Sequence, residues 1–124
     1  MTQLLRFARW LAFRLRGTMY VGVKFCGLTR TEDAATAVGL GADFLGVIFA
    51  GGPRNRTPAQ AAEILGCADR ARRVGVFGSP DAAELRAYMM RVPLFVAQLH
   101  GDASPKAVRS ARAIGADEVW AGVP

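Results

Sequence analysis

Three side chains stand out for the chemistry they can do: the thiol of Cys26, the imidazole of His100 and the guanidinium of Arg54. Cys26 and His100 each close a short apolar run. Each also has a polar residue two positions earlier, Lys24 before the cysteine and Gln98 before the histidine. A thiolate is a base and a nucleophile, and a cation such as Lys24 favours it over the thiol, whose ordinary pKa is about 8.5. Imidazole changes charge near neutral pH, and His100 reads either as a hydrogen-bonded core group or as part of a site lining. Arg54 belongs to residues 50–56, a turn with two glycines and two arginines. Such a turn can hold an anion with backbone amides and guanidinium groups, and it reads equally as a solvated loop. Cys67, late in a helical stretch, reads as a small core residue.

These residues need elements to hold them, and the sequence repeats one unit. Apolar strand cores fall at residues 21–26, 44–49, 74–77, 96–100 and 119–123, and their last residues are 23, 28, 23 and 23 apart. That period fits parallel strands joined through crossover helices. Helix starts are marked by Thr57 with Pro58, Ser79 with Pro80, and Ser104 with Pro105. In each pair a hydroxyl can cap an orphan N–H, and proline has none to lose. Gln60 completes a capping-box pattern with Thr57, and Thr31 offers a cap followed by Glu32 and Asp33. Gly41 and Gly115 suit helix C-caps before the second and fifth strands. The expected architecture is therefore α/β, with four βα units and a fifth strand.

Parity along the strands separates a barrel from an open sheet. Val23 and Phe25 share one face of the first strand, and Ala97 and Leu99 one face of the fourth; these are expected to meet helices. Lys24, Cys26, Gln98 and His100 then share the opposite face. In a doubly wound sheet helices would cover that face too, at a high desolvation cost. In a barrel it is the interior, whose C-terminal strand ends carry active sites. The expectation is an incomplete (β/α)8 TIM-barrel-type fold, because eight strands usually need about 200 residues or more and this sequence has 124.

Charge and composition narrow the function classes. Of the formal net charge of +6, most comes from Arg6, Arg9, Arg14 and Arg16 in residues 1–18; beyond them stand 12 basic and 10 acidic residues. The near-neutral body argues against a nucleic-acid partner. No run approaches the ~20 apolar residues of a membrane span. Two cysteines 41 residues apart and a single histidine form no metal-ligand spacing, so no metal site is expected. The expected setting is a reducing cytoplasm. Residues 1–18 place Leu4, Phe7, Ala8, Leu11 and Leu15 on one side of a helical wheel and Arg6, Arg9 and Arg16 on the other. They read as a basic amphipathic extension of a domain at 19–124, either an upstream start with Met19 as the natural beginning, a helix capping the barrel floor, or an import presequence.

The run from Val23 through Lys24, Phe25, Cys26, Gly27, Leu28, Thr29 and Arg30 to Ala34 resembles the opening strand and helix of phosphoribosylanthranilate isomerase. So do Gly41 to Asp43 with Gly46 to Phe49, Pro53 and Arg54 with Thr57 and Pro58, Val74 to Phe77, and Gln98 to Asp102. The resemblance covers residues of about 21–123 in order. It implies the N-terminal half of a (β/α)8 isomerase of tryptophan biosynthesis that works without a cofactor on a small phosphosugar substrate. It further implies that Cys26 is the general base, that Arg54 and His100 bind substrate, and that Lys24 and Gln98 support them. The family's general acid, an aspartate after the sixth strand, and its phosphate loops after strands seven and eight match no position here. The 124 residues alone are accordingly expected to be inactive, as a truncated chain. The alternative is a non-catalytic half barrel whose open edges lead it to self-associate.

Overall fold

The computed structural model of the protein describes residues 21–68 and 70–122; the extension at 1–18 lies outside them. Strands and helices alternate: β1 (Lys24–Phe25), α1 (Thr31–Gly39), β2 (Phe44–Ile48), α2 (Pro58–Ile64), a 3-10 turn (Leu65–Cys67), β3 (Arg72–Phe77), α3 (Ala82–Arg91), β4 (Val96–Leu99), α4 (Pro105–Ile114) and β5 (Glu118–Ala121). The strands form one sheet in the order β1-β2-β3-β4-β5, and every neighbouring pair is parallel. Sequential parallel strands with a helix after each are the repeating unit of the (β/α)8 barrel. The α/β reading and the incomplete barrel are both found.

The expected caps are largely present. Thr57 Oγ1 accepts from the backbone N–H of Gln60, whose side-chain Oε1 accepts in turn from the Thr57 N–H, and Pro58 opens α2. Ser104 caps α4 by accepting from the Ala107 N–H. Two caps differ. Asp81, not Ser79, caps α3 by accepting from the Glu84 N–H, because the helix begins at Ala82 and puts Asp81 at the capping position. Ser79 Oγ instead accepts from the Asp102 N–H across the loops after β3 and β4. Thr31 lies inside α1, and the capping position falls on Arg30, which has no side-chain cap.

Two faces of the sheet are covered differently. On the helix side Leu45, Val47, Phe49, Phe77, Ala97 and Leu99 join one cluster with Ala34, Ala37, Ala61, Leu85 and Ala111 from the helices. Phe49, Phe77 and Tyr88 stack there with ring centroids 4.4–5.6 Å apart. Gly75 is required on this face, since a Cβ there would come within 2.5 Å of Leu94 Cδ1. Val74, Val76 and Val96 are buried as well but lie outside that cluster. They belong to the opposite parity, the face shared with Gln98.

That opposite face is concave. Lys24 Nζ on β1 donates to Gln98 Oε1 on β4, although β2 and β3 lie between them. On a flat sheet those strands would stand about 14 Å apart with side chains rising perpendicular to the surface. Only a sheet curled about this face brings them together. The Lys24 ammonium also lies 5.9 Å from the ring centroid of Trp120 on β5.

One expectation is corrected at the first strand. Val23 and Phe25 do not meet helices: they are 47% and 38% exposed, and Val21 is 76% exposed. β1 is the sheet edge, and the helix after it packs against the 3-10 turn and α2.

Candidate active site

Loops after the strands converge at the C-terminal end of the sheet. Cys26 follows β1 directly and its residue is exposed. The chain is then pinned by the Leu28 N–H, which donates to the Gly46 carbonyl of β2. His100 follows β4 and is also exposed, with its own N–H donating to the Phe77 carbonyl of β3 at 2.8 Å. Its ring stands beside Gly122, where a Cβ would lie 3.0 Å from Nδ1.

Arg54 reaches this group from the loop after β2. A Cβ built on Gly27 would lie 2.3 Å from Arg54 Nη1 and 2.9 Å from Cζ, so the guanidinium rests on the bare backbone next to Cys26. Gly27 also has φ of 72°, a left-handed conformation that glycine adopts without the Cβ penalty. The turn itself is organised: Asn55 Oδ1 accepts from the Gly51 N–H, and the Arg56 N–H donates to the Ile48 carbonyl. The glycine-rich loop is thus an ordered turn that delivers a cation to the mouth of the sheet.

Lys24 and Gln98 are half-buried, each two residues before Cys26 and His100 in turn. The sequence suggests that the Lys24 ammonium would serve the thiol; in the structure its partners are Gln98 and the face of Trp120. Asp102 is occupied as a loop brace, its Oδ1 accepting from the Ser104 N–H. Cys67 keeps its structural reading: it is half-buried and its Sγ–H donates to the Ile64 carbonyl at 3.6 Å. Among the described residues no three His, Cys, Asp or Glu side chains gather closely enough to hold a metal ion, and no helix is long and apolar enough to cross a membrane. A shallow groove of about 340 Å³ runs between Thr29–Glu32 and Arg56–Ile64, beside this mouth and lined by none of its five residues.

Sequence reasoning missed three participants. Gly27 seats Arg54, Gly46 lies under the Lys24 stem, and Trp120 walls the ammonium. The pairing of Cys26 with a following glycine was a visible signal for the first. The other two depend on contacts across the curled sheet, which no local pattern reveals.

Known proteins share this fold. The family profile described as N-(5'phosphoribosyl)anthranilate (PRA) isomerase matches residues 23–118. The chain belongs to the phosphoribosylanthranilate isomerase family. Its relatives include the N-(5'-phosphoribosyl)anthranilate isomerase of Paracoccus denitrificans, 45% identical over 101 residues, a match spanning 77% of this chain and 45% of that protein. That of Acidithiobacillus ferrooxidans is 41% identical over 91 residues, spanning 72% and 44%. Among solved structures, the phosphoribosyl anthranilate isomerase of Thermus thermophilus superposes with a TM-score of 0.69 at 39% identity, covering 76% of this chain and 48% of that one. An isomerase crystallised with reduced 1-(o-carboxyphenylamino)-1-deoxyribulose 5-phosphate gives 0.71 at 32% identity, covering 76% and 50%. The chain therefore spans about half the length of the isomerases it matches.

Proposed function

We propose that this chain supplies the Cys26, Arg54 and His100 part of a phosphoribosylanthranilate isomerase active site. The reaction is the Amadori rearrangement of N-(5-phosphoribosyl)anthranilate to 1-(2-carboxyphenylamino)-1-deoxyribulose 5-phosphate, in tryptophan biosynthesis and without a cofactor. One observation carries the reading: the Arg54 guanidinium is seated on Gly27, beside an exposed thiol at the C-terminal mouth of a concave parallel sheet.

The steps are those of the family's rearrangement. A general acid protonates the furanose ring oxygen, and the ring opens to a Schiff base. The Cys26 thiolate then takes the proton from C2′, and the enolamine tautomerises to the ketone. A thiolate suits a proton held on carbon, because it is weakly hydrated and acts in a positioned site. Arg54 is placed to hold an anionic group of the substrate, with His100 lining the far side of the mouth. The acid and the phosphate loops have no counterpart among these 124 residues, so they must come from elsewhere for turnover. Two free thiols, Cys26 and Cys67, support a reducing cytoplasmic setting.

Joining residues 1–124 to the C-terminal portion of the Thermus thermophilus isomerase tests the proposal, with substrate consumption followed by the anthranilate fluorescence. The chain alone is expected to show almost no turnover and the hybrid to show it clearly. Cys26→Ala should abolish the hybrid's activity. Full turnover in that variant would remove Cys26 from the role of base.

A second reading has its own support. Val21, Val23 and Phe25 are exposed in and just before the edge strand, an apolar strip at the open side of the sheet. On that reading the chain is a non-catalytic half barrel that associates with itself. Light scattering decides: a clean monomer at high concentration contradicts it.

A further inference from the structure

The polar face of the sheet contains a tie that links the two strands carrying Cys26 and His100. From Lys24 on β1, the aliphatic stem passes over β2 at Gly46, where a Cβ would lie 3.0 Å from Lys24 Cε and 3.5 Å from Cys26 Cα. The ammonium then donates to Gln98 Oε1 on β4. Trp120 on β5 flanks it at 5.9 Å from the ring centroid. Trp120 is itself fixed, its Nε1–H donating to Glu118 Oε2 at 3.0 Å and its ring meeting Phe44 edge-on. Lys24 stands two residues before Cys26, and Gln98 two residues before His100, on the same face of their strands.

We infer that Lys24 is a positioning residue: strapped to Gln98, walled by Trp120 and given its path by the bare backbone at Gly46, it sets the spacing between Cys26 and His100. This rests on the reading that Cys26 and His100 face one site. Backbone pairing guides Cys26 from one side only: β1 joins β2 through the ladder pairs Lys24 with Phe44 and Phe25 with Leu45, flanked by bonds from Val23 to Asp43 and Phe44 and from Leu28 to Gly46. A side-chain tie to β4 adds a second anchor from the far side of the same concavity. Lysine's long flexible stem is suited to such a span, and an ammonium on an amide oxygen gives a stronger bond than two neutral partners would. Gly46 matters for a steric reason: any side chain there would occupy the space the stem uses.

The test measures the spacing directly. In the full chain carrying Cys67→Ser and His100→Cys, spin labels at positions 26 and 100 report their distance distribution, and circular dichroism reports the fold. One narrow peak is expected. Lys24→Met and Gln98→Leu should each lose it for a broad distribution while the helical signal is kept. Gly46→Ala should do the same with both tie partners intact. Gln98→Glu, which keeps an acceptor oxygen, should restore the narrow peak, a rescue that a purely space-filling role would not produce.

A narrow peak in both Lys24→Met and Gln98→Leu overturns the inference. Loss of the fold in both overturns it too, since the pair would then be a stability element. The labelled chain needs no turnover, so this result stands apart from the hybrid assay. In an active hybrid, the same variants should lower kcat with KM held.

Discussion

Phe44 of β2 and Trp120 of β5 meet edge to face with ring centroids 4.9 Å apart, although β3 and β4 lie between their strands. Together with the Lys24–Gln98 bond, this contact shows that the sheet bends into a trough. Arg72 closes its N-terminal end, its guanidinium carbon 5.5 Å from the Phe44 centroid and 4.7 Å from that of Phe95. The mouth with Cys26 and His100 is at the other end.

The two thiols should differ sharply in reactivity. Cys26 is exposed, whereas Cys67 is half-buried with its Sγ–H engaged by the Ile64 carbonyl. Limiting iodoacetamide under native conditions should label Cys26 first, as peptide mass spectrometry will show. Equal labelling would mean that the strand-end thiol is not presented as described.

Replacing Gly27 should unseat Arg54. The left-handed backbone at φ 72° makes Gly27→Ala cost about 1–3 kcal/mol, and the new methyl would fall 2.3 Å from Nη1. Denaturant titration should show that loss. In the hybrid enzyme, KM for the substrate should rise further than it does for a glycine substituted at exposed Gly39, where a Cβ meets nothing within 4 Å.

Thr57→Ala removes one half of the reciprocal cap on α2. The expected loss is about 1 kcal/mol, read as a lower denaturation midpoint with an unchanged slope. Thr57→Ser should keep most of the stability, since the accepting hydroxyl remains.

Acid should weaken the start of α1 through Glu32. Its own backbone N–H and the Arg30 guanidinium, with Nε 3.5 Å from Oε2, hold its carboxyl below the ordinary carboxylate range. A depressed folded pKa means that the ionised form favours the folded state above the unfolded pKa, and that this contribution disappears as pH falls through the folded value. Carboxyl NMR titration should give a midpoint below that of an unstructured glutamate, and Arg30→Ala should move it upward.

Much of the fold was legible because βα units are local. Thr57 with Gln60, Ser104 with Pro105, and the glycines at 41 and 115 each act within a few residues. Parity likewise puts Lys24, Cys26, Gln98 and His100 on one face, and for the pair Lys24 and Gln98 the bond between them agrees. What escaped depended on competition or curvature. Asp81 is the cap in place of Ser79 because the helix starts two residues later than Ser79 and Pro80 suggest, while Ser79 Oγ is taken by the Asp102 N–H across the loops. Phe25 kept its apolar parity but lies at an edge, where alternation alone cannot supply a covering helix. Trp120 reads as an ordinary strand aromatic until the trough brings it to β1 and β2.

The shortness of β1 has a consequence for the thiol it carries. An edge segment joined on one side only, through two ladder pairs and the bonds of Val23 and Leu28 that flank them, is expected to detach at a free energy below that of global unfolding. Amides near residues 24–28 should therefore exchange with deuterium early, ahead of those in β3 and β4. Each such excursion would carry Cys26 out of register with His100, so the fraction of time spent docked would scale whatever catalysis the thiol performs.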